Sequence, residues 1–259
     1  FSSFLLLVAN FMVFNEPGRA PENASSPPPT KAEPVKDMLH GEEFVDPYRW
    51  LEDQQSPATR EWIKAQNEFT DSLLKEFPGR DKIAARLGEL MKVDAVGLPE
   101  ARDGRYFFMK RAADQDLAVI CLREGANGKD QVLIDPANLS DDGSKTVSIG
   151  DVSEDGKLLV YFIRTGGEDE VAVKMFDVDA RQDIDDHLPR ARYFGVTLTP
   201  DKSTCYYTKH DDSGPRVYRH RLGEDVAADE QIFGGGYDAG KIVYATLSHG
   251  GRYLILHVL

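Results

Sequence analysis

Ser153-Glu154-Asp155-Gly156-Lys157-Leu158-Leu159-Val160 is one of four versions of a single phrase. Ala101-Arg102-Asp103-Gly104-Arg105-Tyr106-Phe107-Phe108 precedes it. Thr199-Pro200-Asp201-Lys202-Ser203-Thr204-Cys205-Tyr206 is a weaker copy, and Ser248-His249-Gly250-Gly251-Arg252-Tyr253-Leu254-Ile255 is the fourth. Start to start, the copies lie 52, 46 and 49 residues apart. In each, a turn rich in Asp and Gly leads into an apolar run. Asp and Gly accept the turn geometry between antiparallel strands, and a run apolar on both faces belongs to a strand buried on both sides. Short strands recurring at a period of roughly 40–50 residues are the signature of β-propeller blades. The WD dipeptide and the kelch double-glycine pattern are absent, which points to another propeller class.

Working outward, the chain from about Leu98 reads as strands only. Gly, Asp and Pro punctuate runs at Arg105–Lys110, Ala118–Arg123, Gln131–Asp135, Leu158–Arg164, Val171–Asp177, Cys205–Thr208, Arg216–Arg221, Lys241–Leu247 and Tyr253–Leu259. The four copies make three blades and about half of a fourth. A propeller closes with about four to eight, so the expectation is a chain that forms part of a longer protein. The apolar tail Tyr253–Leu259 reads as the second strand of the fourth blade, in need of sheet neighbours.

Upstream, Ser56-Pro57 resembles a helix start, with proline at the first helical position. Trp62, Phe69 and Leu73 recur near helical spacing, and Phe77-Pro78-Gly79 ends the helix. A second helix is expected from Asp81, with Ile83, Leu87, Leu90 and Met91 on one face. The aromatic stripe reads as packing rather than as a cofactor site. The expected organisation is a signal-like segment over 1–24, a Pro-rich linker over 25–36, a helical segment over 37–97 and a partial propeller over 98–259. Phe4 to Phe14 is apolar apart from Asn10. It is shorter than the roughly 20 residues of a spanning helix but fits the apolar core of an export signal. Gly18-Arg19-Ala20 or Glu22-Asn23-Ala24 would precede cleavage. The expected location is periplasmic or secreted, or cytoplasmic if that start is spurious.

Composition narrows the chemistry. Hydrophobic residues are 41% and charged residues 29% of the chain, with a formal net charge of −13. Nucleic-acid phosphates attract Lys and Arg clusters, so this balance argues against that partner. No basic amphipathic stretch suggests a membrane surface. Cys121 and Cys205 sit in apolar strand-like runs and read as buried free thiols. The six histidines, His40, His187, His210, His220, His249 and His257, are scattered without metal-ligand spacing. Asp177-Val178-Asp179-Ala180-Arg181-Gln182-Asp183 has Arg at a ligand position and no closing Glu, so it reads as a turn rather than a calcium loop. Gly234-Gly235-Gly236 lacks the Gly-Lys-Ser/Thr of a phosphate loop. There is no Gly-x-Ser-x-Gly nucleophile elbow, and no cofactor or metal is expected.

Two further stretches carry a resemblance. Asp46-Pro47-Tyr48-Arg49-Trp50-Leu51-Glu52-Asp53 precedes the helices, and Leu133-Ile134-Asp135-Pro136-Ala137-Asn138-Leu139-Ser140-Asp141-Asp142-Gly143 lies between the first two blades. With His40-Gly41 and the blade turns, the chain from about Pro34 resembles the amino-terminal part of the prolyl oligopeptidase family. Asn138, Leu198 and Asp201-Lys202 depart from the family pattern. Oligopeptidase B, related and preferring basic residues, shares the Trp-Leu-x-Asp stretch but commonly has Arg at the position of Glu52, and it lacks Leu-Ser-Asp-Asp-Gly. Asp46, Pro47, Tyr48, Trp50, Leu51 and Asp53 are motif positions of structural kind.

The resemblance implies a fold class: an all-β propeller, about three and a half blades of an expected seven, preceded by a helical segment belonging to an α/β-hydrolase domain. It implies a serine endopeptidase that cleaves short peptides after proline, with the propeller gating access. In such enzymes Ser attacks the carbonyl, His carries its proton and Asp orients the His. That triad would lie beyond residue 259, so the chain is expected to be inactive alone, marginally stable and prone to association through its blade edge. The expected partners are short proline-containing peptides and the hydrolase domain, in a monomeric enzyme. The resemblance also places Phe194 and Ile242 against the amino-terminal side of the substrate, the alternative for each being plain blade packing. The competing function is a non-catalytic exported propeller that binds a peptide or glycan. A third is an oligopeptidase B-like peptidase.

Overall fold

The computed structural model describes residues 26–259, which fall into two compact units divided between Leu90 and Met91. The signal-like run and both proposed cleavage points lie outside the described residues. Among these residues no helix is long and apolar enough to cross a membrane.

In the first unit β1 (Val35–Leu39) and β2 (Glu42–Asp46) form a hairpin. Its turn residues His40 and Gly41 both have positive φ, at 54° and 85°, as a two-residue hairpin turn of the mirror-image type requires. A single 3-10 turn, Arg49–Glu52, leads to α1 (Pro57–Lys75) and then to the start of α2 (Arg80–Met91). Ser56 occupies the N-cap position, but its hydroxyl makes no capping bond. Asp53 tightens the entry instead, its Oδ1 accepting from the backbone of Gln55 at 3.1 Å and Ser56 at 3.2 Å.

Composition assigns 25–36 to a linker, and residues 28–31 of that stretch are tied to the first long helix and the 3-10 turn before it. Trp62 Nε1 donates to Thr30 Oγ1 at 3.0 Å, Gln66 Nε2 to Pro28 O at 2.8 Å and Trp50 Nε1 to Lys31 O at 2.9 Å. The strand β1 begins inside the stretch, at Val35. A proline-rich segment makes no internal hydrogen bonds and leaves its carbonyls free to accept, and the long donors of α1 reach them.

The second unit is built of blades. The innermost strand of the first is split into β3 (Ala95–Val96) and β4 (Glu100–Arg102), both pairing with β5 (Arg105–Arg111), and β6 (Val119–Glu124) and β7 (Asp130–Ile134) follow outward. Pro99, which has no N–H to give a ladder, lies in the split. The second blade runs β8 (Lys145–Val152), β9 (Leu158–Thr165) and β10 (Val171–Asp177), and ends on the first half of β11 (Gln182–Leu198). β11 then passes into the third blade. Up to Ala191 it pairs with β10, and from Arg192 it pairs with β12 (Thr204–Asp211), beyond which lie β13 (Gly214–Arg221) and β14 (Glu230–Phe233). The fourth blade contributes β15 (Val243–Leu247) and β16 (Leu254–Val258). The unit is therefore three four-stranded blades and two strands of a fourth, all antiparallel, with the repeat copies at each first turn.

In this unit the runs expected from sequence omit β3, β4, β8, β11 and β14. β8 and the second half of β11 are inner strands with mixed polarity, such as Lys145-Thr146-Val147-Ser148-Ile149-Gly150-Asp151-Val152, and neither presents the continuous apolar run that marks β9. Sandwiched strands carry the core. Phe107, Ile120, Leu122, Leu159, Tyr161 and Phe176 join the first and second blades. Val160, Val173, Met175, Leu188, Val196 and Cys205 join the second and third, and Val217, Val243 and Ala245 join the third and fourth. β9 sends Leu159 and Tyr161 to one side and Leu158 and Val160 to the other, which is why its sequence is apolar without alternation. Each such side chain contributes about 1.5–3 kcal/mol on burial.

The turns show why the repeat is written as it is. Ser153 is buried, and its Oγ accepts from the backbone of Lys157 at 3.1 Å and Leu158 at 2.9 Å while donating to Asp155 Oδ1 at 2.6 Å. Thr199 repeats this with Thr204 N at 3.1 Å and Asp201 Oδ1 at 2.6 Å, and Ser248 Oγ accepts from Tyr253 N at 3.0 Å. Ala101 has no hydroxyl, and the first blade closes instead on a tight two-residue turn with Arg102 paired to Arg105. Lys202, a departure from the family pattern, holds φ at 59° where Gly104, Gly156 and Gly251 have 77°, 65° and 67°. A side chain there is strained, and its ammonium is in turn ion-paired with Asp155 of the preceding blade.

Ion pairs at the blades set an acid limit. Asp130 accepts from Arg123 Nε and Lys110 Nζ, each at 2.7 Å, and Arg123 first, then Lys110, holds its carboxyl down at about 2. Burial pushes Asp155 up, but Lys202, Ser153 and the Lys157 amide outweigh it and hold it also at about 2. A carboxylate depressed on folding contributes stability that is present above its ordinary value of 3.8 and is lost as pH falls through the folded value. Urea midpoints should therefore drop between about pH 4 and pH 2, and Asp130→Asn should flatten that slope. An unchanged slope would remove Asp130 from the account.

Candidate functional site

The inner strands have two ends. One carries the repeat turns. The other is reached five residues before Thr199 in the third blade and six before Ser248 in the fourth, at Phe194 and Ile242. Between Tyr193 and Gly195 the register of β11 against β12 shifts, Tyr193 facing Lys209 and Gly195 facing Thr208. Phe194 is the extra residue, left unpaired in the ladder. A bulge of this kind re-aims a side chain and is common beside functional sites. Ile242 lies just before β15, is exposed, and exchanges backbone hydrogen bonds with Leu259 at 3.2 and 2.9 Å.

Two side chains not singled out by the sequence reading flank Phe194. His210 meets its ring edge to face, with centroids 5.2 Å apart, and the Arg192 guanidinium lies 5.7 Å from its centroid. His210 Nε2 lies 3.2 Å from the carbonyl of Ala239, in the loop that leads to Ile242. Arg192 and His210 also line a cavity of about 690 Å³ with Asp169, Glu170, Lys209 and Asp212. Ser213, through its hydroxyl and then its amide, holds the Asp211 carboxyl below the ordinary range. An aromatic ring beside guanidinium donors can take an apolar side chain and hydrogen-bond a backbone carbonyl, which suits an extended peptide. The signal for these residues was weak. Arg192 is two residues from Phe194, on the same strand, but the place of His210 depends on how β12 pairs.

The motif ahead of the helices is a local scaffold. Asp46 Oδ1 accepts from Tyr48 N at 2.8 Å and its Oδ2 from Arg49 Nε at 3.0 Å, and Arg49 also pairs with Asp37 across the hairpin. The Tyr48 amide first, then Arg49, lowers the Asp46 carboxyl. Pro47 O accepts from Glu33 N at 2.8 Å, Leu51 N donates to Tyr48 O at 2.9 Å, and Trp50 O accepts from Thr59 Oγ1 at 3.1 Å. The sequence Asp177–Asp183 is the hairpin turn between β10 and β11, with Asp177 Oδ1 accepting from Ala180 N at 2.8 Å and Tyr161 OH donating to Asp183 Oδ1 at 2.9 Å. Among the described residues no group of three His, Cys, Asp or Glu is placed to hold a metal ion.

These blades, turns and motif positions can be set against known proteins. The family model described as prolyl oligopeptidase, N-terminal beta-propeller domain, matches residues 27–259. The chain belongs to the prolyl oligopeptidase family. It is 27% identical to a prolyl endopeptidase of Elizabethkingia meningoseptica over 88% of this chain and 34% of that protein. A dipeptidyl aminopeptidase BI of Pseudoxanthomonas mexicana is 25% identical over 88% of this chain and 35% of that protein. A solved structure from a study of two prolyl endopeptidases and their inter-domain dynamics superposes with a TM-score of 0.80 at 33% identity, covering 90% of this chain and 36% of that one. The chain thus spans about a third of the length of the curated relatives it matches. Within the prolyl oligopeptidase family it is a propeller portion, and its sheets form an open, partial propeller.

Proposed function

We propose that this chain is the propeller-bearing part of an exported serine endopeptidase that hydrolyses short peptides after proline. The observation that carries the reading is the match over residues 27–259, shared with prolyl endopeptidases in sequence and in fold. The Ser-Asp-His triad then belongs to a hydrolase domain outside residues 1–259, and the blades restrict what reaches it. The exposed apolar side chains Val132 in β7 and Tyr253 and Ile255 on the fourth blade support covering by further blades. Phe194, with Arg192 and His210, and Ile242 less strongly, would contact substrate residues on the amino-terminal side of proline.

The test uses reporters cleaved after Pro and after Arg. Serine-dependent cleavage after Pro by the complete gene product, and none by residues 1–259 alone, is the expected result. Turnover by residues 1–259 alone, or cleavage by the complete product only after Arg, overturns the proposal. In the complete enzyme Phe194→Ala should raise KM about five- to tenfold for longer peptides, the equivalent of about 1–1.5 kcal/mol of lost aromatic contact, and should barely affect a minimal Pro substrate. Equal effects on both would remove Phe194 from the substrate site.

A further inference from the structure

We propose that Asp186, His220 and Asp229 form a proton-dependent latch that joins the second blade to the third, independent of any peptidase activity. His220 lies on β13 and is 0% exposed, and Asp186 and Asp229 are buried beside it. Its Nε2 is 3.0 Å from Asp186 Oδ1 and its Nδ1 is 2.7 Å from Asp229 Oδ1. Asp186 belongs to the half of β11 that closes the second blade. Asp229 stands immediately before β14 of the third. One imidazole therefore ties two neighbouring sheets.

The hydrogen bonds around the ring favour one charge state. Asp186 Oδ2 accepts from Gly223 N at 2.7 Å, and Asp229 Oδ2 accepts from Tyr207 OH at 2.8 Å. Both carboxylates are held as acceptors by a second donor. With both carboxylates ionised, the ring donates from both nitrogens, which only the imidazolium can do. The group is a buried cation between two anions, each with its other oxygen satisfied. Such a site is strongly destabilised when any one member changes charge.

The other titratable groups facing the cluster are Cys205 and Tyr207 on β12 and Tyr193 on β11, whose hydroxyl is pushed up first by burial, with Asp151 of β8 acting on Cys205. Burial, then the negative charges of Asp186 and Asp229, pushes the Cys205 thiol up. Burial, then Asp229, pushes the Tyr207 hydroxyl up. Both stay protonated and add no charge beside the ring. Tyr207 is itself packed against Tyr218, stacked at 5.2 Å, and Tyr193, edge-on at 5.7 Å. The sign in each direction follows. As pH falls, protonation of Asp186 or Asp229 leaves the imidazolium without its counter-charge. As pH rises, loss of the ring proton sets a bare nitrogen lone pair against a carboxylate oxygen and leaves two anions with no cation between them. The latch stabilises the blade junction only between these limits.

Two measurements on the 259-residue chain test this. In ¹⁵N-histidine NMR at neutral pH, both ring nitrogens of His220 should resonate as protonated N–H groups protected from exchange. A resonance typical of a bare ring nitrogen overturns the assignment. The melting-temperature difference between the wild type and His220→Gln should follow a bell-shaped curve with pH, and Asp186→Asn should shrink it. A difference that does not vary with pH overturns the latch. If His220→Gln does not fold, Asp229→Asn and the wild-type NMR spectrum give the same decision.

Discussion

Phe107→Ala is expected to destabilise the propeller unit by about 3–5 kcal/mol, the cost of a large buried side chain removed together with the cavity it leaves. Phe107 is 0% exposed and packs with Ile120, Leu122, Leu159 and Tyr161 where the first and second blades meet. Neither sheet can collapse into the gap, because each is held by its own ladder and by the turn contacts. Arg102 Nε donates to Val152 O at 3.0 Å and Arg105 Nη1 to Gly156 O at 3.0 Å, fixing the distance between blades. Urea denaturation followed by tyrosine fluorescence would measure the loss. Phe107→Leu, which refills most of the volume, should cost about a third as much. A loss below about 1 kcal/mol for the alanine variant would mean that the junction is loose.

Gly234→Ala should cost about 3 kcal/mol, from backbone strain plus a clash that has no flexible partner to absorb it. Gly234 has φ of 98°, and a Cβ there would stand 2.3 Å from Pro215 O and 3.1 Å from the Cα of Arg216. The crowding has a purpose. The guanidinium of Arg216 gathers the carbonyls of Gly234 at 2.9 Å and Tyr237 at 3.0 Å, and so pins the loop that carries Ala239 and Ile242 toward β15. Gly223 is the control, since its φ is 89° but nothing lies within 4 Å of a Cβ placed there. Gly223→Ala should show strain alone, about 1 kcal/mol. Equal losses for the two variants would show that the Gly234 loop simply moves aside.

Much of this architecture was readable because a blade is a local object. Its second and third strands are covered on both sides, so β9 and β10 appear as apolar runs, and their bounds from sequence lie close to those observed. Of the inner strands, only β15 was readable, as Lys241–Leu247. β8 and the second half of β11 interleave buried Val147, Val152, Val196 and Leu198 with polar residues, and their mixed pattern matches neither alternation nor a buried run. β11 hides further because one 17-residue strand serves two blades with Pro189 inside it. The contacts of residues 28–31 were hidden for a related reason: proline-rich composition reports missing donors, whereas Thr30, Pro28 and Lys31 are held through acceptors.

The candidate site divides in the same way. Phe194 could be named from sequence by resemblance. Its bulge, and its neighbours Arg192 and His210, depend on the register between β11 and β12. His220 shows the limit most clearly. Flanked by Arg219 and Arg221, it looks like a surface residue, and it is fully buried only because β13 lies between two strands and faces the neighbouring blade. Sequence alone determined the repeat, the blade turns, the strands buried on both faces and the family, because each depends on residues within one blade length. Only tertiary structure decided which carboxylates meet His220, which strand is shared between blades and what surrounds Phe194. Those contacts join residues up to tens of positions apart, and no local propensity encodes the packing that brings them together.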